Sequence, residues 1–126
     1  LQREVATTAL IEVATLLESV RRVALVEDKT VPLRLDFADN TLSLAAGAGE
    51  EAQATEAIEI LLTGEPISIA FNPTFLADGL NAVGTKFVQI TFTGSSKAAI
   101  LMGKSDKDGS VIENYRYLLM PTRYAS

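Results

Sequence analysis

The sequence predicts an α+β domain in which two amphipathic helices pack on antiparallel sheets. Three observations lead there. Two stretches, Val13–Val26 and the segment after Pro73, carry apolar residues at helical spacing. Eight short β-branched or alternating runs are separated by turn residues. The order strand, helix, three strands occurs twice, with the helix starts sixty positions apart, although the halves share too little identity to prove a repeat.

In chain order, Val5–Ile11 is short and β-branched, a strand. Val13, Leu16, Leu17, Val20, Val23 and Ala24 then fall at i, i+3, i+4 spacing, with Thr15, Glu18, Arg21 and Arg22 opposite, so a helix runs to Val26. Thr15 and Glu18 have capping-box spacing, whereas Glu12 takes the cap position if the helix starts earlier. Pro32–Phe37 and Thr41–Ala45 alternate on either side of Ala38-Asp39-Asn40 and predict a hairpin. Gly47–Glu51 is a loop. Ala54–Leu62 keeps a β rhythm through Ala57, Ile58, Ile60 and Leu62, which predicts one strand before the Thr63-Gly64-Glu65-Pro66 turn. Ile67–Phe71 is the next strand. Asn72 is a favoured N-cap and Pro73 a favoured first helical residue. Leu76, Leu80 and Val83 form that helix's buried stripe, and Gly84 its C-terminal stop. Phe87–Thr93, Ala98–Gly103 and Tyr115–Met120 are the last strands, with polar Lys104–Asn114 as a loop.

Composition narrows the function. With 126 residues, 48% hydrophobic and 21% charged, the chain can bury a core without metal or crosslinks. The absence of cysteine excludes disulfides and thiolate chemistry and suits a reducing compartment. The absence of histidine removes the usual neutral-pH base and the commonest metal ligand. A net charge of −5 argues against uniform coating of nucleic acid but allows a local basic face. No apolar run is long enough to span a membrane, and the first residues do not read as a signal sequence. The expected location is therefore cytoplasmic, with no membrane partner. The start at Leu1 suggests a piece of a longer chain.

Most chemical motifs fail on inspection. Gly103-Lys104-Ser105 ends like a phosphate loop, but Ala98 stands where the earlier glycine belongs and Ile100, Leu101 and Met102 fill the loop. Asp106-Lys107-Asp108-Gly109 lacks the third acid and later glutamate of a calcium loop. Ser95-Ser96-Lys97 lacks the partners of a nucleophile. Glu50, Glu51, Glu56 and Glu59 are either a solvated face or a charged edge that meets a basic partner. Asp78, one turn into a helix, already gains from the macrodipole. An enzyme using Asp78 or Glu56 as an acid/base carboxylate is the competing function, and a deep polar pocket around Asp78 would support it.

The last strand is more informative. Alternation from Tyr115 to Arg123 puts Tyr115, Tyr117 and Leu119 on the core face and Arg116, Leu118, Met120 and Thr122 on the other. That second face turns apolar at Leu118 and Met120, just before Pro121, which cannot donate a backbone hydrogen bond and belongs at a strand end. An apolar patch beside such an end is a docking surface. A strand buried on both faces is the competing reading.

Phe71-Asn72-Pro73-Thr74-Phe75-Leu76-Ala77-Asp78-Gly79-Leu80 and Tyr117-Leu118-Leu119-Met120-Pro121-Thr122-Arg123 together resemble one family. It is the third, C-terminal domain of the bacterial DNA polymerase III β subunit, the replication sliding clamp. Leu16–Val26 and Gly64-Glu65-Pro66-Ile67 match it as well, so the resemblance covers nearly the whole chain. It implies a DNA-clamp domain over residues 1–126, with 1–4 a linker remnant and 124–126 a tail. It also implies three such domains per full-length chain and a homodimer ring around double-stranded DNA, with helices lining the hole.

On that resemblance Arg21 and Arg22 would face the DNA, loosely and without sequence preference. Leu25, Val26, Glu50, Glu51 and Glu56 would lie at the ring interface with the partner chain's first domain. The family's peptide pocket would take Asn72, Phe75, Ser96, Leu118, Leu119, Met120, Pro121, Thr122 and Arg123 from this chain. It would receive Leu- and Phe-rich linear motifs of the DNA polymerase III catalytic subunit, the clamp loader and repair polymerases. The implied role is a processivity factor with no catalytic residue, metal or cofactor of its own. Tyr124-Ala125-Ser126 departs from the family's usual end soon after the final arginine, which leaves open a specialised, inhibitor-resistant clamp copy.

Overall fold

The structure, a computed structural model, describes residues 7–26, 32–46, 54–94, 97–105 and 111–122. The elements are β1 (Thr7–Glu12), α1 (Val13–Val26), β2 (Leu33–Ala38), β3 (Thr41–Ala46), β4 (Ala54–Glu59) and β5 (Leu61–Gly64). They continue with β6 (Ile67–Phe71), α2 (Pro73–Val83), β7 (Phe87–Phe92), β8 (Ala99–Lys104) and β9 (Val111–Leu119). All pairings are antiparallel, in one sheet ordered β5-β1-β7-β8-β9 and another ordered β4-β3-β2-β6.

The doubled element order has a spatial meaning. Each half's first strand reaches across to the other half: β1 pairs with β7 of the second half while keeping β5 of its own on the other side, and β6 pairs with β2 of the first. The halves are thereby exchanged, and both sheets need both halves. Between them lies one apolar core. From α1 it takes Leu16, Val20 and Val23, and from α2 Leu76, Leu80 and Val83. Phe37 of β2 and Phe92 of β7 meet across the sheets with ring centroids 4.8 Å apart and a 53° tilt, a favourable aromatic geometry.

Local chemistry explains the boundaries. Asp39 and Asn40 both take positive φ, 56° and 57°, as a two-residue hairpin between right-twisted strands requires. α1 starts directly after β1. Glu12 is the residue before it, its Oε1 accepting from the Thr15 hydroxyl at 2.6 Å, and Val13 N donates to the Lys86 carbonyl. Thr15 is thus inside the helix, and Glu12 holds the cap position.

Two sequence expectations need correction. Ala54–Leu62 is two strands, not one: the chain leaves the four-stranded sheet at Ile60 and joins the five-stranded sheet at Leu61. The crossing is pinned from twenty residues away, because Ile60 N donates to the Asn40 carbonyl at 3.0 Å and Leu62 N to Asn40 Oδ1 at 2.8 Å. The last strand also begins at Val111, four residues before the expected Tyr115. Met102 pairs with Arg116 but the next residue, Gly103, pairs with Ile112, so residues 113–115 are accommodated in a bulge. The expected loop at Gly47–Glu51 lies outside the described residues, as does part of Lys104–Asn114.

Candidate functional site

The site is built where α2 begins. Asn72 has extended backbone (φ −68°, ψ 125°), and its Oδ1 accepts from Thr74 N at 2.9 Å and Phe75 N at 3.1 Å. Two otherwise orphan helix donors are satisfied. Pro73 fills the first helical position and Gly84, at φ 66°, ends the helix. Because the oxygen of Asn72 is committed to the cap, only its amide NH2 is left to meet another molecule. Phe75, in the first turn, is 57% exposed.

The last strand presents the facing surface. Leu119 is 3% exposed, while its neighbours Leu118 and Met120 are 65% and 64% exposed, as the alternation required. Four large hydrophobic side chains are exposed among the described residues: Leu61, Phe75, Leu118 and Met120. The strand end is then tied down. Thr122 N donates to the Ala70 carbonyl at 2.8 Å, so Met120-Pro121-Thr122 runs to the end of β6, two residues from the Asn72 cap. This hydrogen bond brings the second apolar motif to the first. Ser96 and Arg123 lie outside the described residues.

The residues expected to face DNA sit on α1. Arg21 and Arg22 are both exposed there, near Glu18, and α2 contributes Asp78 but no basic residue. Formal charge on the two helices is therefore balanced. Arg22 is, moreover, occupied: its Nε donates to Glu56 Oε2 at 2.6 Å and its Nη2 to Oε1 at 2.9 Å, with Glu18 3.7 Å away. The Ser19 hydroxyl, fully buried, donates to Glu56 Oε1 at 2.9 Å. Arg22 first, then Ser19, hold the Glu56 carboxyl below its ordinary range, against the opposing pull of partial burial. The same hydrogen bond raises Arg22.

Glu56 belongs to β4, the outer strand of its sheet. A side chain of the expected ring edge is thus bound to one of the expected DNA face, a pairing the sequence pattern did not foretell. Leu25 and Val26 close α1, while Glu50 and Glu51 lie outside the described residues. Between the helices runs a groove lined by Leu17, Val20, Ala24, Pro73 and Ala77, with Arg21 and Asp78 at its borders. Asp78 is exposed and borders this mostly aliphatic groove, which is not the deep polar pocket that an acid/base carboxylate would occupy. Among the described residues no group of three or more His, Cys, Asp or Glu is placed to hold a metal ion, and no helix is long and apolar enough to cross a membrane.

Two exchanged antiparallel sheets, a helix pair, and an apolar ridge where the last strand meets a helix cap define a clamp-type domain. The chain matches the family model for the DNA polymerase III beta subunit, C-terminal domain, over residues 1–123, and it belongs to that family. It is 47% identical over 117 residues to the beta sliding clamp of Streptomyces coelicolor, covering 93% of this chain and 31% of that protein. It is 40% identical over 122 residues to the beta sliding clamp homolog GriR of Streptomyces muensis, covering 97% and 33%. The solved DNA polymerase III subunit beta from Pseudomonas aeruginosa matches with a TM-score of 0.80 at 25% identity, over 98% of this chain and 32% of that one. A sliding clamp from the same organism, solved bound to griselimycin, matches equally well. The chain spans about a third of the length of these relatives.

Proposed function

We propose that this chain is one domain of a ring-shaped sliding clamp that encircles duplex DNA and tethers replication and repair proteins by their linear motifs. The observation that carries the reading is the exposed pair Leu118 and Met120, tied by the Thr122–Ala70 hydrogen bond to the helix start that presents Phe75. Short motifs rich in Leu and Phe are the natural occupants of such a ridge, because burying each apolar side chain gains roughly 1.5–3 kcal/mol. Asn72, Leu119, Pro121 and Thr122 shape this site, and Ser96 and Arg123 complete it. Leu119 acts from beneath, as a buried anchor.

In the ring, Arg21 and Arg22 face the DNA, and charge balance on the helices favours a contact loose enough to slide. Leu25, Val26, Glu50, Glu51 and Glu56 form the edge that joins the partner chain, with β4 able to continue its sheet across the junction. The partners are the polymerase III catalytic subunit, the clamp loader and repair polymerases, in a cytoplasmic homodimer. The domain acts without a catalytic residue or cofactor of its own.

The test is an NMR titration of the chain with a Leu/Phe-rich motif peptide and with its scrambled control. The expected affinity of this chain for such a peptide is weak, on the order of mM. Shifts confined to Phe75, Leu118, Met120 and their neighbours, and missing with the scrambled peptide, support the reading. Equal shifts with both peptides, or shifts centred on Asp78, overturn it. The likeness to GriR favours a second reading, a specialised clamp copy that withstands a clamp-binding inhibitor such as the griselimycin bound by a relative. Griselimycin binding to the full-length protein distinguishes the two.

A further inference from the structure

Gly79 occupies the middle of α2, a position where glycine weakens a helix relative to alanine. Its backbone does not need glycine, since the positive-φ glycines among the described residues are Gly64 and Gly84. What needs glycine is space. A Cβ built at Gly79 would stand 2.8 Å from both Cδ1 and Cε1 of Tyr117 and 3.2 Å from Cδ2 of Leu101. Real Cβ atoms essentially never approach that closely. The helix therefore rests on β8 and β9 at a distance any larger residue would forbid.

The two elements that meet here are the two that carry the apolar ridge. Phe75 is one helical turn before Gly79 on the same helix, at i−4. Leu118 follows Tyr117 on β9 and points to the opposite face, with Met120 two residues further on. Tyr117 is half-buried against the core and has little room to swing aside. A Cβ at position 79 must lift the helix, or turn the Tyr117 ring and with it the strand. Either movement changes the separation of Phe75 from Leu118 and Met120.

We infer that Gly79 is a positioning residue for the peptide site. Its missing side chain sets how closely α2 lies over β9, and hence the spacing of Phe75 from Leu118 and Met120 along the ridge that receives a motif. This inference rests on the proposed peptide site, and its test separates the two. Four variants are compared with the unaltered chain: Gly79→Ala, Gly79→Ala with Tyr117→Val, Leu44→Ala and Met120→Ala. Leu44, fully buried on β3 in the other sheet, serves as a control for lost stability alone. Tyr117→Val removes the two ring atoms that block the added methyl.

Motif-peptide affinity in every variant, and the Met120 methyl resonance in those that keep Met120, are read at a temperature where thermal unfolding shows each variant folded. Gly79→Ala is expected to weaken binding by at least about fivefold and to move the methyl resonance, since sites lose function when held even 1 Å too loosely. The double variant is expected to recover to within about threefold, the packing displacement being relieved. Leu44→Ala should lower thermal stability and leave affinity unchanged. Unaltered affinity in Gly79→Ala, or no recovery in the double variant, overturns the positioning role while leaving the peptide site standing. Unaltered affinity in Met120→Ala removes the site itself, and the inference with it.

Discussion

Truncating Leu118, Leu119 and Met120 one at a time gives the sharpest test, because the three neighbours should behave in opposite ways. Full burial of a Leu or Met side chain gains roughly 1.5–3 kcal/mol. Leu118 and Met120 still have 65% and 64% of their surface open, so about 1–2 kcal/mol remains at each for a bound motif to claim. Leu118→Ala or Met120→Ala should then weaken binding of a Leu/Phe motif by about 5- to 30-fold each. Their effect on stability should stay within about 0.5 kcal/mol, as for other exposed positions. Leu119, at 3% exposure, should do the reverse: Leu119→Ala should cost about 2–5 kcal/mol of stability through the cavity it leaves. The assays are denaturant unfolding and peptide titration by NMR. If Leu118→Ala or Met120→Ala unfolds the chain as Leu119→Ala does, the strand is buried on both faces and the docking surface does not exist. If both bind the peptide like the unaltered chain, the ridge is solvent-facing decoration and tethering lies elsewhere.

Three further outcomes follow from other parts of the structure. Asn72→Ala should lower stability by about 1 kcal/mol through the lost cap, and Asn72→Asp or Asn72→Ser should restore most of it in thermal melts; an unchanged melt would refute the capping role. Glu56 sits below the ordinary 4.5 of a glutamate because Arg22 and Ser19 bind its charged form, so its contribution is complete above about pH 4.5 and fades as pH falls further. Unfolding of the unaltered chain and Glu56→Gln from pH 7 to 3 should show a gap that narrows in acid, and a constant gap would refute the linkage. In the full-length homodimer ring, Arg21→Ala should flatten the salt dependence of DNA binding by up to roughly two units, one phosphate for the guanidinium of each chain. Arg22→Ala should flatten it less, because Glu56 already shares that guanidinium.

Much of this was legible in the chain. α1 spans Val13–Val26 as its apolar spacing predicted, and α2 starts at Asn72-Pro73 and stops at Gly84, where local capping chemistry dictates the ends. The exposure of Leu118 and Met120 followed from period-two alternation alone. What stayed hidden depended on partners distant in sequence. The break at Ile60 leaves the alternation undisturbed, since its cause is Asn40, a turn residue of the preceding hairpin. The start of β9 at Val111 was masked by the polar residues of its bulge. The Arg22–Glu56 pair spans thirty-four positions, and Gly79 reads as a poor helix residue until Tyr117 lies against it.

The exchanged halves also supply an internal control for the site. Ile60 directly follows β4 and Met120, sixty positions later, directly follows β9. Two residues later each chain segment bonds to the first strand of its own half, Leu62 beside Ala9 and Thr122 to Ala70. Glu12 and Asn72, also sixty apart, precede the two helices. The fold thus offers the same position twice, and it treats the two occupants differently. Ile60 is 6% exposed, whereas Met120 is 64% exposed. Burying an apolar side chain at that position is within reach of the architecture, as Ile60 demonstrates. An open Met120, next to an open Leu118, is therefore not a consequence of topology. It forgoes core stabilisation on the order of 1–2 kcal/mol that the other half collects, which is the expected signature of surface kept available for a partner.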